Sequence, residues 1–284
     1  MRQWWIVLRR AGIRFSNGGC GFLAQAIAFN ALFAIFPLVL IAAAALGYVY
    51  GTAEAQARAL EIIDSLAPQA HNILADQLHR AVAFRGLSGF IGFVALIWSG
   101  KNLFGALAYA LDRSLEVKHG RPFLQSIILS IIMLPIVGTL LVIATVLPVA
   151  LAFLVHARVL PPELAATQVA GYLTSFVMVG IGTAIMYRYL PVKAIPIRYA
   201  IPGSIVAALA FEVVQIGFAV YSVHVDFAQV YGTVSTIVAL LLWFYLTGMI
   251  FLFGAQLAAE WADEQNAVVA APLEEPAPPV ERTA

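Results

Sequence analysis

FLQSIILSIIMLPIVGTLLVIATVLPVALAFLV, residues 123–155, runs for 33 residues without a charge. A helix rises about 1.5 Å per residue, so the stretch reaches roughly 50 Å against about 30 Å of bilayer hydrocarbon. It predicts a membrane-crossing helix that tilts or bends, with Pro135 and Pro148 as the bending points. Working outward, five more apolar runs of spanning length appear at about Gly21–Gly51, Leu87–Leu111, Val169–Tyr187, Tyr199–Val223 and Val234–Ala259, and Pro37 should kink the first. The whole chain agrees: 62% of its 284 residues are hydrophobic and 11% are charged, whereas soluble domains carry about 25% charge. That balance excludes a soluble globular enzyme and a disordered chain. A net charge of +1 gives no argument for nucleic acid, and one cysteine, Cys20, excludes an internal disulfide and a multi-cysteine metal cluster. Arg2, Arg9, Arg10 and Arg14 precede an uncharged stretch from Phe15 to Ala53. That stretch is too long for a signal-peptide core of about 7–15 residues, so the start reads as a spanning helix with basic flanks.

Basic residues predict the orientation. Those four arginines, the second loop (Arg113, Lys118, Arg121) and the fourth loop (Arg188, Lys193, Arg198) place ten on one side; the other side has Arg58, Arg80, Arg85 and Arg158. Positive residues stay inside, which predicts both termini in the cytoplasm. The connection Thr52–Gly86 reads as an amphipathic helical hairpin broken at Pro68. Leu60, Ile63 and Ala67 share a face of its first helix, and Leu74, Leu78 and Val82 a face of its second. The fold class is therefore all-α, a polytopic protein of six spans with this hairpin between spans one and two. Residues 1–262 form the membrane domain. Residues 263–284, rich in Pro and acidic residues, are expected to be a disordered cytoplasmic tail.

Lys101 and Glu212 are the sharpest chemical features, because a charge inside an apolar span costs at least about 2.5 kcal/mol. Counting in from the basic side puts them roughly 15 and 20 Å deep, with Asn30, Asn102 and Gln215 near the same level. Together they could line a polar path among spans one, two and five, or Lys101 and Glu212 could be a structural pair that fixes helix register. Glu212 could also carry a proton. Lys118, Arg121, Arg188, Lys193 and Arg198 fit anionic lipid headgroups; the same residues also satisfy the positive-inside rule with no ligand. His71, Asp76 and His79 crowd one helix, but an i, i+8 histidine spacing is not a zinc pair, so no metal and no cofactor is expected. Gly18-Gly19-Cys20-Gly21 reads as a flexible hinge before span one.

Four sequence patterns carry a family resemblance. Residues 26–40, AIAFNALFAIFPLVL, place Ala28, Phe29, Phe36 and Pro37 in a first-span pattern, with Asn30 where Tyr is usual. Trp98-Ser99 followed by Ala110-Leu111-Asp112 matches a second-span motif, with Asp112 where Asn is common. Tyr187-Arg188-Tyr189-Leu190-Pro191 matches a cytoplasmic loop, and Tyr231-Gly232 followed by LLLWFYLTGMIFLFGAQLAAE matches a sixth span, with Gln256 where Glu is frequent. Over about Ala11–Glu260 the chain resembles the YihY/BrkB family of bacterial inner-membrane proteins, whose members once carried the name ribonuclease BN. The resemblance implies a multipass protein of the bacterial inner membrane, linked to serum resistance and envelope lipid handling. It implies no settled activity. The leading expectation is a non-enzymatic, transporter-like role on an envelope lipid or other amphiphile, with the lipid bilayer as partner. The alternatives are a non-transporting envelope assembly factor and a membrane-bound hydrolase or nuclease.

Overall fold

The computed structural model describes residues 2–49, 71–117, 122–156, 167–224 and 234–270, and these are helical almost throughout. Seven helices follow in order: α1 (Arg2–Asn17), α2 (Cys20–Val49), α3 (His71–Ser114), α4 (Phe123–His156), α5 (Thr167–Tyr189), α6 (Ile197–His224) and α7 (Ser235–Ala270). Helices are what these sequences must form in lipid, where a backbone amide has no water to bond. Five helices contain segments long and apolar enough to cross a membrane: Cys20–Leu38, Gly89–Ser114, Leu124–Ala144, Ile197–Phe218 and Ile237–Gln265. α5, where the fourth span was expected, is 23 residues long.

Helices α2 to α7 form a closed ring, each packed on its neighbours in chain order, and α7 returns to α2. α1 lies outside it, against α7. Lipid supplies no hydrophobic drive between helices, so close approach through small side chains decides the packing. Every seam of the ring has a glycine facing its neighbour: Gly92 on Leu40 and Ile41, Gly100 on Leu134, Gly182 on Leu140, Gly180 on Ala208, Gly203 on Gly254, and Gly248 on Ala24. The tightest is α6–α7, where Gly203-x-x-x-Ala207 meets Gly254-x-x-x-Ala258. The buried residues gather at the end of the ring that carries Arg113, Arg188, Lys193 and Arg198, called here the basic end: Cys20, Leu111, Tyr187, Leu190 and Ala258 are each at most 1% exposed. Outward-facing Phe22, Phe29, Leu124 and Val213 are all more than half exposed, the surface expected of a lipid-facing ring.

Several sequence expectations change. Gly86 does not separate a hairpin helix from span two, because α3 is one helix of 44 residues from His71; residues 50–70, with Pro68, lie outside the described residues. α4 is unbroken from Phe123 to His156, so Pro135 and Pro148, the expected bending points, lie inside a continuous helix. α7 runs to Ala270, so Asp263 begins no tail: it continues a helix whose acidic face is held by α1 arginines. Residues 271–284 lie outside the described set. The glycine pair at 18–19 is a tight turn and not a loose hinge. Gly19 takes φ 63°, Gly18 N–H bonds to Arg14 O at 2.7 Å, and α2 starts at once.

The α6–α7 contact yields a direct test. A Cβ on Gly254 would lie 2.5 Å from the Tyr187 hydroxyl and 2.8 Å from Ala207 Cβ, whereas one on Gly217 meets nothing within 4 Å. Gly254→Ala should cost about 1–3 kcal/mol by overpacking, and Gly217→Ala should be neutral or slightly stabilising. Thermal unfolding in detergent reads both; equal melting temperatures for the two variants would contradict the crossing.

Candidate functional site

The basic end is built by an accounting of backbone carbonyls. A helix leaves its last four C=O groups without intrahelical partners. At the end of α3, Leu115 N–H bonds to Leu111 O, Val117 N–H to Asp112 O and Glu116 N–H to Arg113 O. The turn that allows this puts Glu116 in the left-handed region at φ 55°, the Schellman arrangement with a non-glycine residue at C′. One carbonyl is left over, that of Ser114. The buried Gln256 amide of α7 donates to it. Asp112 also caps the loop after α5, its Oδ1 accepting from Val192 N–H at 2.7 Å. The Tyr187 hydroxyl, wholly buried, donates to Phe251 O at 2.7 Å. Residues from three of the resembling motifs (Asp112, the Tyr187–Pro191 run and the 240–260 span) thus meet in one place.

Beyond this lock lies a charged cleft of about 410 Å³ between α1 and α7, lined by Arg10, Ile13, Arg14, Glu260, Asp263 and Glu264. Spacings of i, i+3 and i+4 put the three acids on one face of α7. Arg10 pairs with Glu264 at 2.8 Å, and Arg14 with Glu260 at 2.6 Å and Asp263 at 3.2 Å. Lys193 reaches Asp263 at 3.8 Å. Glu260 is the buried member, its side chain 4% exposed. Its contact with Arg14 is close enough to pair but off-axis for a hydrogen bond.

The residues of the expected polar path do not converge. Lys101 Nζ sits 5.3 Å from the ring centre of Trp98, a residue 68% exposed, and no described ion pair joins it to Glu212. α3 and α6, which carry them, are not neighbours in the ring. Asn30 turns its amide back to Ala26 O at 2.9 Å. Asn102 and Gln215 are half-buried. Glu212 is the exception in kind. One turn before it, Ala208 faces Gly180 of α5, so Glu212 lies on the α5 side of α6. Both its carboxyl oxygens are buried, and no described group bonds to either.

Among the headgroup candidates, Lys193 is taken by Asp263, Arg188 lies 5.9 Å from the Tyr189 ring and Arg198 4.4 Å from the Tyr199 ring. Lys118 and Arg121 fall outside the described residues, as do the side chains of His71, Asp76 and His79. Gly203, Gly254 and Glu260 are not among the expected site residues, and Arg14 figures there only as a topology residue. The small-x-x-x-small spacing shared by α6 and α7 was the available signal.

Replacing one member of the Arg14–Glu260 pair should separate it from the exposed pair. Arg14→Met leaves a buried carboxylate uncompensated and should cost about 1–3 kcal/mol, while Arg10→Met, whose partner Glu264 is 27% exposed, should cost under about 1 kcal/mol. Arg14→Met combined with Glu260→Met should recover part of the loss. Thermal melts of the four proteins decide it; equal effects of the two single changes would show that burial of Glu260 does not matter.

Comparison with known proteins places this architecture. No solved structure matches the chain. It is 28% identical to a UPF0761 membrane protein of Nitrosospira multiformis over 90% of this chain and 62% of the relative. It is 25% identical to a UPF0761 membrane protein of Xanthomonas oryzae over 84% of this chain and 56% of the relative. A ribonuclease-like protein of Bacillus subtilis, YfkH, is 26% identical over 70% of this chain and 76% of its own length. The chain thus spans about three fifths of the length of the UPF0761 relatives. The model of the virulence factor BrkB family matches residues 12–278, and the chain is a membrane protein belonging to that family.

Proposed function

We propose that the chain is a six-span protein of the bacterial inner membrane with both ends in the cytoplasm, and that it moves or handles an envelope lipid or another amphiphile without enzymatic turnover. Three features support the topology. α5 packs between α4 and α6, both apolar enough to span, so it continues the same layer. Arg113, Arg188, Lys193 and Arg198 cluster at one end of the ring, as the positive-inside rule asks of a cytoplasmic face. α1 and the end of α7 meet at that same end. A reporter fused after Asp263 should accordingly read cytoplasm; a periplasmic signal would remove one span from the count.

The observation that carries the lipid-handling reading is the orphan carboxyl of Glu212. Burying a polar group without a partner costs several kcal/mol, and ionisable groups kept inside membrane helices mark paths for polar or charged cargo. The ring is locked at the basic end by Gln256, Tyr187 and the α6–α7 contact, while Glu212 sits farther along α6. A cargo with a polar headgroup and apolar chains would meet Glu212 in the α5–α6 seam and exposed apolar side chains around the ring. In vesicles containing a fluorescent phospholipid, the purified protein should speed lipid movement between leaflets over protein-free vesicles. Glu212→Gln, which keeps the shape and removes the ionisable carboxyl, should slow it about tenfold or more, equivalent to about 1.4 kcal/mol of barrier. Movement unchanged by Glu212→Gln would overturn the role of Glu212. No movement by a well-folded wild-type protein would overturn the lipid-handling reading and favour an assembly factor.

A further inference from the structure

α1 has two faces, and the ring uses only one. Val7 and Ala11 are buried to 1% and 0% against Leu257 and Trp261 of α7, and Trp4 stacks on Trp261 with ring centres 4.4 Å apart. Around the helix from this contact, Trp5 is 70% and Leu8 40% exposed. They are spaced i, i+3 and so lie side by side. Arg9, one step further round, is exposed and enters no described ion pair. α1 contains four arginines and no acidic residue. Arg10 and Arg14 are engaged by Glu264, Glu260 and Asp263, so among the described arginines of α1 the one outside these pairs is Arg9, on the Trp5 side.

The placement of α1 says what covers that face. The Gly18-Gly19 turn joins α1 directly to α2, whose first turn holds Phe22, 77% exposed on the lipid-facing surface. α1 runs along α7 in the opposite chain direction, from Phe15 against Phe253 to Trp4 against Trp261. Its Trp4 end, with Trp5 and Leu8, therefore lies nearest to Gln265, where the spanning segment of α7, Ile237–Gln265, ends. A basic helix with tryptophan and leucine exposed on one side, at the end where the span stops, has the make-up of an interfacial anchor. Tryptophan rings favour this headgroup level, and cationic side chains favour anionic lipid.

We infer that α1 is an interfacial anchor whose Trp5–Leu8 side enters the headgroup layer of an anionic bilayer leaflet, with Arg9 on the lipid phosphates. Because its opposite side holds Glu260, Asp263 and Glu264, the charge of the leaflet is coupled to the end of α7 through one rigid helix. This needs only that the ring sits in a bilayer; it does not depend on the cargo or on Glu212.

The test uses the full-length protein in nanodiscs and tryptophan quenching by lipids brominated near the headgroup. The difference between wild type and Trp5→Phe isolates the Trp5 signal without disturbing a packed position. With phosphatidylglycerol present, that signal should be quenched, and it should be less quenched in neutral phosphatidylcholine. Arg9→Gln should lower the inserted-to-aqueous ratio of Trp5 about fivefold in the anionic discs, the effect of one basic residue near such a surface. A Trp5 signal that brominated lipid does not quench in either disc would overturn the anchor. Equal quenching in neutral and anionic discs, unaffected by Arg9→Gln, would overturn its lipid selectivity.

Discussion

The distance between α6 and α7 is set by two missing side chains. Gly203 and Gly254 face one another so closely that a Cβ on either would meet the other's backbone oxygen. In a bilayer this matters more than apolar area, because lipid satisfies leucine as well as a neighbouring helix does. What holds two spans together is dispersion at short range plus any polar bond the approach makes possible. Here the approach lets the Tyr187 hydroxyl of α5 reach over Gly254 to Phe251 O at 2.7 Å. Three consecutive helices are thereby tied at one level of the ring. The same level of α7 presents Gln256 to the leftover carbonyl of α3. A side chain at Gly254 would move α7 and break both links.

From this level outward the structure is polar and mostly paired, with Gln256 Oε1 and Glu260 Oε1 buried without a hydrogen bond; inward it is apolar, and Glu212 is the described carboxyl there with both oxygens unbonded. At the basic end, helix carbonyls, the Asp112 carboxylate and the α7 acids have partners. Glu212, deeper along α6, has none among the described residues. Membrane proteins concentrate stability and function in different places for this reason. A satisfied network rigidifies the end where it lies, while the unsatisfied ionisable group is the one to which the proposed function assigns binding or passage of cargo.

Much of this was legible in the sequence because its physical signal is local. An uncharged run of 33 residues can do little but span, and the helices begin and end within a few residues of the expected spans at Phe123, Tyr189 and Ile197. The family resemblance was legible too, and residues from three of its motifs (Asp112, Tyr187 and Gln256 among them) lock the basic end. Rotation about each helix axis was not legible. Lys101 and Glu212 have similar depth, but depth comes from counting, while facing depends on which glycine seats which neighbour. The glycines that seat the seams put Lys101 beside an exposed Trp98 and Glu212 against α5. α1 was missed because its four arginines read as a topology signal; the i, i+4 pair Val7 and Ala11 was the sign of a packed face. The length of α7 was missed because Asp263 and Glu264 look like the start of a solvated tail until Arg10 and Arg14 are placed opposite them.

The central claim is that the ring is locked at the basic end by the α6–α7 glycine contact and the carbonyl bonds around it. Hydrogen–deuterium exchange of the protein in nanodiscs measures this residue by residue. Peptides covering Tyr199–Ala208 and Phe251–Glu260 should exchange most slowly, and the loop amide of Val192 should be protected in wild type and lose protection in Asp112→Ala. Rapid exchange across those two segments, with slower exchange elsewhere in the ring, would contradict the account.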